Sequence, residues 1–136
     1  ELLNNYYKNK DLIIFAISIT RFEAIKASQI LKKEGIKVSM VNVLWLKPLK
    51  ISDRSIQNLK VSKYGGLVID DDYANGVAKS IANDLNLKTN KQINVLGLKN
   101  RTAGTAKSLD NLPPNAAEIV RFIKKIIKNN EKYLQK

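Results

Sequence analysis

Asp70-Asp71-Asp72, three consecutive carboxylates closing the apolar run Leu67-Val68-Ile69, are the densest chemistry-bearing group in this chain. Converging carboxylates hold hard divalent cations or serve as general acids and bases. Strand geometry opposes convergence, because successive side chains point to opposite faces of a sheet, and no second acidic cluster lies nearby in sequence. Hydrogen-bonded or contact roles are therefore expected for these three, with no metal ligand and no catalytic residue assigned. Cysteine and histidine are both absent, which closes disulfides, thiolate metal sites, Ser-His-Asp catalysis and zinc hydrolysis to this chain alone.

The turn Ser18-Ile19-Thr20 stands at the end of one apolar run and the start of a helix, where α/β sheets usually bind ligands. It lacks the glycines or Walker-type lysine that let backbone amides close on a pyrophosphate, so no cofactor-binding residue is assigned there. Trp45, beside Leu46 and Pro48, is either a lid on the core or a contact surface, and Tyr73 and the pair Tyr6-Tyr7 share that ambiguity.

A formal charge of +12 points to a polyanion, but only four of the 24 basic residues are arginine and the lysines are spread over every segment. Groove readers favour clustered arginine, so the balance is against nucleic acid. No apolar run is long enough to span a bilayer, and no signal pattern is seen at the N-terminus, so a cytoplasmic location is expected. At 136 residues and 44% hydrophobic, residues 1–136 have the size of a single domain, one that reads as a fragment of a longer chain.

The elements that must position these groups alternate. Asp11 to Ile17, Val38 to Val43, Leu67 to Ile69 and Ile93 to Leu98 read as strands, the first being apolar from Leu12 onward as in a parallel sheet covered on both faces. Between them fall a helix with Thr20 and Glu23 at capping-box spacing and a small-residue stripe of Ala24, Ala27, Ser28 and Leu31, ended by Gly35. A short helix opening at Ser52 and another of about Val77 to Leu85 after Asn75-Gly76 follow. A last helix carries Asn115 and Glu118 as a cap and Ile119, Phe122, Ile123, Ile126 and Ile127 on one face. The spacing predicts an α/β, three-layer domain on a mostly parallel sheet of about five strands, with room for one antiparallel edge strand near the Asn100 to Asp110 loop.

From about residue 11 to 127 this ordered set resembles the C-terminal domain of transketolase and of the beta subunits of 2-oxo acid dehydrogenases. Val38-Ser39-Met40-Val41-Asn42-Val43 running into Leu46-Lys47-Pro48-Leu49 is similar to that family's strand exit, and Leu67-Val68-Ile69-Asp70-Asp71 to its strand ending in two acids. Asn75-Gly76-Val77-Ala78 stands where the family usually has a glycine-rich turn. The chain departs from the pattern at Ser18, Asn75 and Ala78, where glycines are common, and at Leu44, where an arginine is frequent.

The resemblance implies a piece of a thiamine-diphosphate enzyme of the transketolase, pyruvate-type dehydrogenase or sugar-biosynthesis kind. The cofactor and its magnesium would be held by other domains of the parent. This domain would assemble a homodimer or heterotetramer and carry nothing catalytic. The interface is expected at Trp45, Leu46, Pro48, Asp71, Asp72 and Tyr73, which a parallel sheet would gather near its carboxyl edge. The alternative is a free-standing basic α/β binding module for nucleic acid or a small molecule.

Overall fold

The computed structural model describes residues 2–4 and 7–134, with side chains described over 7–133; Tyr6 lies outside the described residues. Among the described residues five strands form one sheet in the order β1-β3-β2-β4-β5. They are β1 (Leu2–Asn4), β2 (Leu12–Ile17), β3 (Val38–Val43), β4 (Gly66–Tyr73) and β5 (Ile93–Leu98). The last four run parallel. The antiparallel strand is β1, paired with β3 through Leu3 and Val41, and not a segment near residues 100–110. That loop instead folds into a single 3-10 turn, Lys107–Leu109.

Among the described residues four α-helices cover the sheet: α1 (Thr20–Lys33), α2 (Asp53–Lys60), α3 (Val77–Thr89) and α4 (Ala116–Leu134). One apolar cluster joins Leu12, Ile14, Met40, Leu67 and Ile69 to α1 and α4, and a second joins Ile13, Phe15, Val41 and Val68 to α2 and α3. Every side chain of β2 and β3 is buried, as two-sided coverage requires. The stripe Ala24, Ala27, Ser28 and Leu31 is buried against the sheet, and Gly35 ends α1 at φ +81°. Tyr7 is half-buried, and its backbone N–H donates to Ser39 Oγ at 3.2 Å.

The helix starts separate local from non-local capping. Ser52 caps α2 by accepting from Ser55 N, and Asn115 and Glu118 exchange two 3.0 Å bonds at the head of α4. Thr20 and Glu23 do not form the expected box. The buried Thr20 hydroxyl donates to the carbonyls of Ile17 and Ile69, while Glu23 accepts from Ala116 N, the first amide of α4, at 2.8 Å. A carboxylate on α1 thus completes the cap of a helix 93 residues away.

Glu23→Ala should cost about 1 kcal/mol, the usual loss for a helix cap, read as a lower denaturant midpoint. Lys26 first, then the Ala116 amide, hold this carboxyl below its ordinary value. Its contribution is therefore complete above the ordinary glutamate pKa and is lost as pH falls through the lowered folded value, where variant and parent should converge.

Candidate functional site

Parallel pairing delivers the ends of β3, β2 and β4 side by side, so Leu44 and Trp45, Ser18 and Ile19, and Asp70 to Tyr73 share the carboxyl edge of the sheet. The chain leaves β2 toward α1 on one face and β4 toward α3 on the other. Adjacent strands with diverging exits make the crevice in which open α/β sheets usually seat ligands. Here it is bridged. Ser18, held at φ +56°, donates its hydroxyl to Asp71 Oδ2 at 3.0 Å across the gap, and the Thr20 hydroxyl reaches the Ile69 carbonyl at 3.2 Å below it.

The acidic run does not behave as a regular strand would. β4 continues through the acids to Tyr73, longer than its apolar run, and its register with β5 shifts between Ile69 and Tyr73. Such a shift breaks the simple alternation of the strand over the acids. Asp70 is buried and accepts from Asp72 N, while the exposed Asp72 accepts from Tyr73 N at 2.7 Å. Among the described residues no three His, Cys, Asp or Glu side chains group closely enough to hold a metal ion.

Burial pushes the Asp70 carboxyl above its ordinary value; Asp71 adds to the rise and the Asp72 amide offsets part of it. The folded chain therefore takes up this proton at a higher pH than the unfolded chain, so ionised Asp70 costs stability at neutral pH. Asp70→Asn keeps the acceptor for Asp72 N and should raise Tm at pH 7 by a few degrees. The gain should shrink as pH falls through the raised value. A pH-independent difference in thermal melts would show that ionisation is not its source.

Around this bridged crevice lie large apolar side chains facing solvent: Ile19 (58% exposed), Phe22 (53%), Leu44 (51%) and Trp45 (55%), with Tyr73 and Val77 more than a third exposed. Trp45 is thus at the surface and not a core lid, with the Lys50 ammonium 4.8 Å from its ring centre. Leu46 and Leu49 form an isolated bridge around a cis Lys47–Pro48 bond. With Gly76 and Val77 at the head of α3, this turn borders a cleft of about 480 Å³. The structure thus brings Trp45, Leu46 and Pro48 to the edge that also carries Asp71, Asp72 and Tyr73. Sequence reasoning missed Ile19, Phe22, Leu44 and Val77. Their signal was apolar residues off the buried stripe of a helix, or just past a strand end.

The helical arginines do not converge in the same way. Arg54 lies on α2, across the sheet from Arg21 and Arg121 on α1 and α4. No helix among the described residues is long and apolar enough to cross a membrane.

A family model described as the C-terminal domain of transketolase matches residues 5–119. The 1-deoxy-D-xylulose-5-phosphate synthase of Dictyoglomus turgidum is 32% identical over 96 residues, a match covering 69% of this chain and 15% of that protein. Among solved structures, a split-gene transketolase in an inactive beta4 tetramer superposes with a TM-score of 0.73 at 19% identity, over 93% of this chain and 41% of that one. The 2-oxoglutarate:ferredoxin oxidoreductase from Magnetococcus marinus, solved with 2-oxoglutarate, coenzyme A and succinyl-CoA bound, superposes at 0.66 and 19% identity, over 93% of this chain and 19% of that one. The fold is thus shared with much longer chains. The ordered strands and helices and the match over residues 5–119 place this chain in the transketolase C-terminal domain family.

Proposed function

We propose that this chain is the assembly domain of a thiamine-diphosphate-dependent enzyme, and that the carboxyl edge of its sheet packs against the enzyme's other domains. The observation that carries the reading is the set of solvent-facing apolar side chains, Ile19, Phe22, Leu44 and Trp45, beside a crevice bridged by Ser18 and Asp71. Exposed apolar groups gathered at one edge mark contact surfaces, and a bridged crevice leaves little for a small ligand. Asp71, Asp72, Tyr73, Leu46 and Pro48 complete the surface.

The residues present do not fit thiamine diphosphate or its magnesium. The Ser18 turn offers no glycine-lined cradle, and Asp70, Asp71 and Asp72 each engage one carboxylate oxygen, on Ser18 or on a backbone amide, and do not group as a metal site among the described residues. Cofactor and chemistry accordingly belong to other parts of the parent. The identity to a deoxyxylulose-phosphate synthase favours a parent that makes sugar phosphates over a pyruvate-type dehydrogenase. A cytoplasmic homodimer or heterotetramer is the assembly this reading expects.

Reconstitution tests the proposal. Added to the thiamine-binding remainder of its parent, the chain should co-sediment as one complex, whereas calorimetric titration of the chain alone with thiamine diphosphate and magnesium should release no saturable heat. Micromolar cofactor binding by the chain alone would overturn the assembly reading.

A further inference from the structure

β5 is the outermost strand, and among the described residues no strand pairs with its free side. In parallel pairing, alternate residues turn both backbone groups toward one neighbour. Gly66 pairs with Ile93 and its N–H donates to the Gln92 carbonyl at 3.0 Å, so Gln92, Asn94 and Leu96 face β4. Ile93, Val95 and Gly97 therefore aim their N–H and C=O groups away from the sheet.

Natural edge strands are blunted by charges, proline, shortness or a covering element. β5 has six residues, Ile93-Asn94-Val95-Leu96-Gly97-Leu98, with no charge and no proline, each only partly buried. An edge so unguarded is suited to being covered.

What would cover it follows from the two grooves beside it. On the α3 side a groove of about 500 Å³ is floored by Ala82, Ile93 and Val95 and rimmed by Lys79, Asn83 and Asn86. On the α4 side one of about 220 Å³ holds Asn94, Phe122, Ile126, Asn129 and Asn130 with Lys125 at its margin. Neither groove is lined by an acidic residue. A groove margined by an ammonium group and surface amides, with no acid among its lining, calls for a carboxylate, while the α3 side calls for small apolar groups.

We propose that the free edge of β5 binds an extended acidic segment of a partner protein as a sixth strand, its side chains alternating between carboxylates toward α4 and apolar groups toward α3. Backbone bonds to Ile93, Val95 and Gly97 supply affinity, and the two grooves supply specificity. A second copy of this chain is a poorer occupant, because edge-to-edge pairing sets Lys79 and Lys125 of one copy close to those of the other. The inference goes beyond the carboxyl-edge assembly surface, and either can fail while the other stands.

The probe is a synthetic nine-residue peptide alternating glutamate with valine and threonine, added to the full 136-residue chain. Amide hydrogen exchange resolved by residue should show at least tenfold added protection at Ile93, Val95 and Gly97, and no change at Asn94 and Leu96, which already bond to β4. Binding should weaken with salt, and the same peptide with lysine for glutamate should not bind. Val95→Pro removes one outward donor and should abolish binding. Lys125→Glu, an exposed change that leaves the fold intact, should weaken it about tenfold or more. Absent protection at those three amides, or equal binding of the lysine peptide, overturns the proposal. Self-association in sedimentation that Val95→Pro dissolves also overturns it, by giving the edge to a second copy.

Discussion

Gly65→Ala should destabilise the chain by about 3 kcal/mol or more, a large loss for one methyl group. Gly65 holds φ +80°, a conformation that costs an L-residue about 1–2 kcal/mol. A Cβ there would also stand 2.1 Å from the Gln92 carbonyl oxygen. That oxygen is backbone and cannot swing aside, since it accepts the Gly66 amide in the first rung between β4 and β5. Relief would require β5 to move. Gly35 is the internal control, because its φ is +81° but no atom lies within 4 Å of the added Cβ. Gly35→Ala should therefore lose only the conformational share. Urea denaturation of both variants decides the matter: equal losses would mean that backbone conformation alone governs, and the close approach to Gln92 would be cheap. Gly65→Ala should also speed amide exchange along Asn94 and Leu96, which face β4.

The elements legible in the sequence were those whose signal is local. β2 and β3 are buried on both faces and read as runs rich in apolar residues, unbroken in β2 and interrupted in β3 by Ser39 and Asn42, and β5 begins and ends at the residues expected, Ile93 and Leu98. α4 declares itself through Asn115, Glu118 and the isoleucine stripe. What stayed hidden depends on distant partners. Thr20 and Glu23 have capping-box spacing, but Glu23 is spent on α4 and Thr20 on the carbonyls of β2 and β4. β1 is three residues long, too short for any periodicity, and exists because β3 offers it an edge. The strand ending in acids was legible, but the register shift of β4 against β5 past Ile69 was not, since no pattern in β4 itself encodes it. At the candidate site, topology sufficed to gather Trp45, Leu46, Pro48 and Asp71 to Tyr73 at one edge. Ile19 and Phe22 were lost inside a helix start whose buried face is Ala24, Ala27 and Leu31, although their three-residue spacing puts them together off that face.

Trp45→Ala separates the assembly reading from a structural one. In the chain alone more than half of the Trp45 surface meets solvent and the Lys50 ammonium lies over its ring, so its loss should change stability by no more than about 0.5 kcal/mol. In the assembled enzyme an aromatic anchor at the centre of a contact is worth about 2 kcal/mol or more, which weakens association roughly thirtyfold. Phe22→Ala, at the neighbouring strand exit, should behave alike. The paired change Asp71→Ala and Tyr73→Ala makes a more demanding comparison, because Asp71 also bridges to Ser18 and its loss reopens the crevice between β2 and β4. Sedimentation equilibrium on the full enzyme, with thermal melts of the isolated chain, reads both quantities for each variant. Weakened association with unchanged Tm places the surface at an interface. Unchanged association with a lowered Tm would instead make Trp45 and Phe22 a cover for the strand ends, and the carboxyl edge would then lose its claim to a partner.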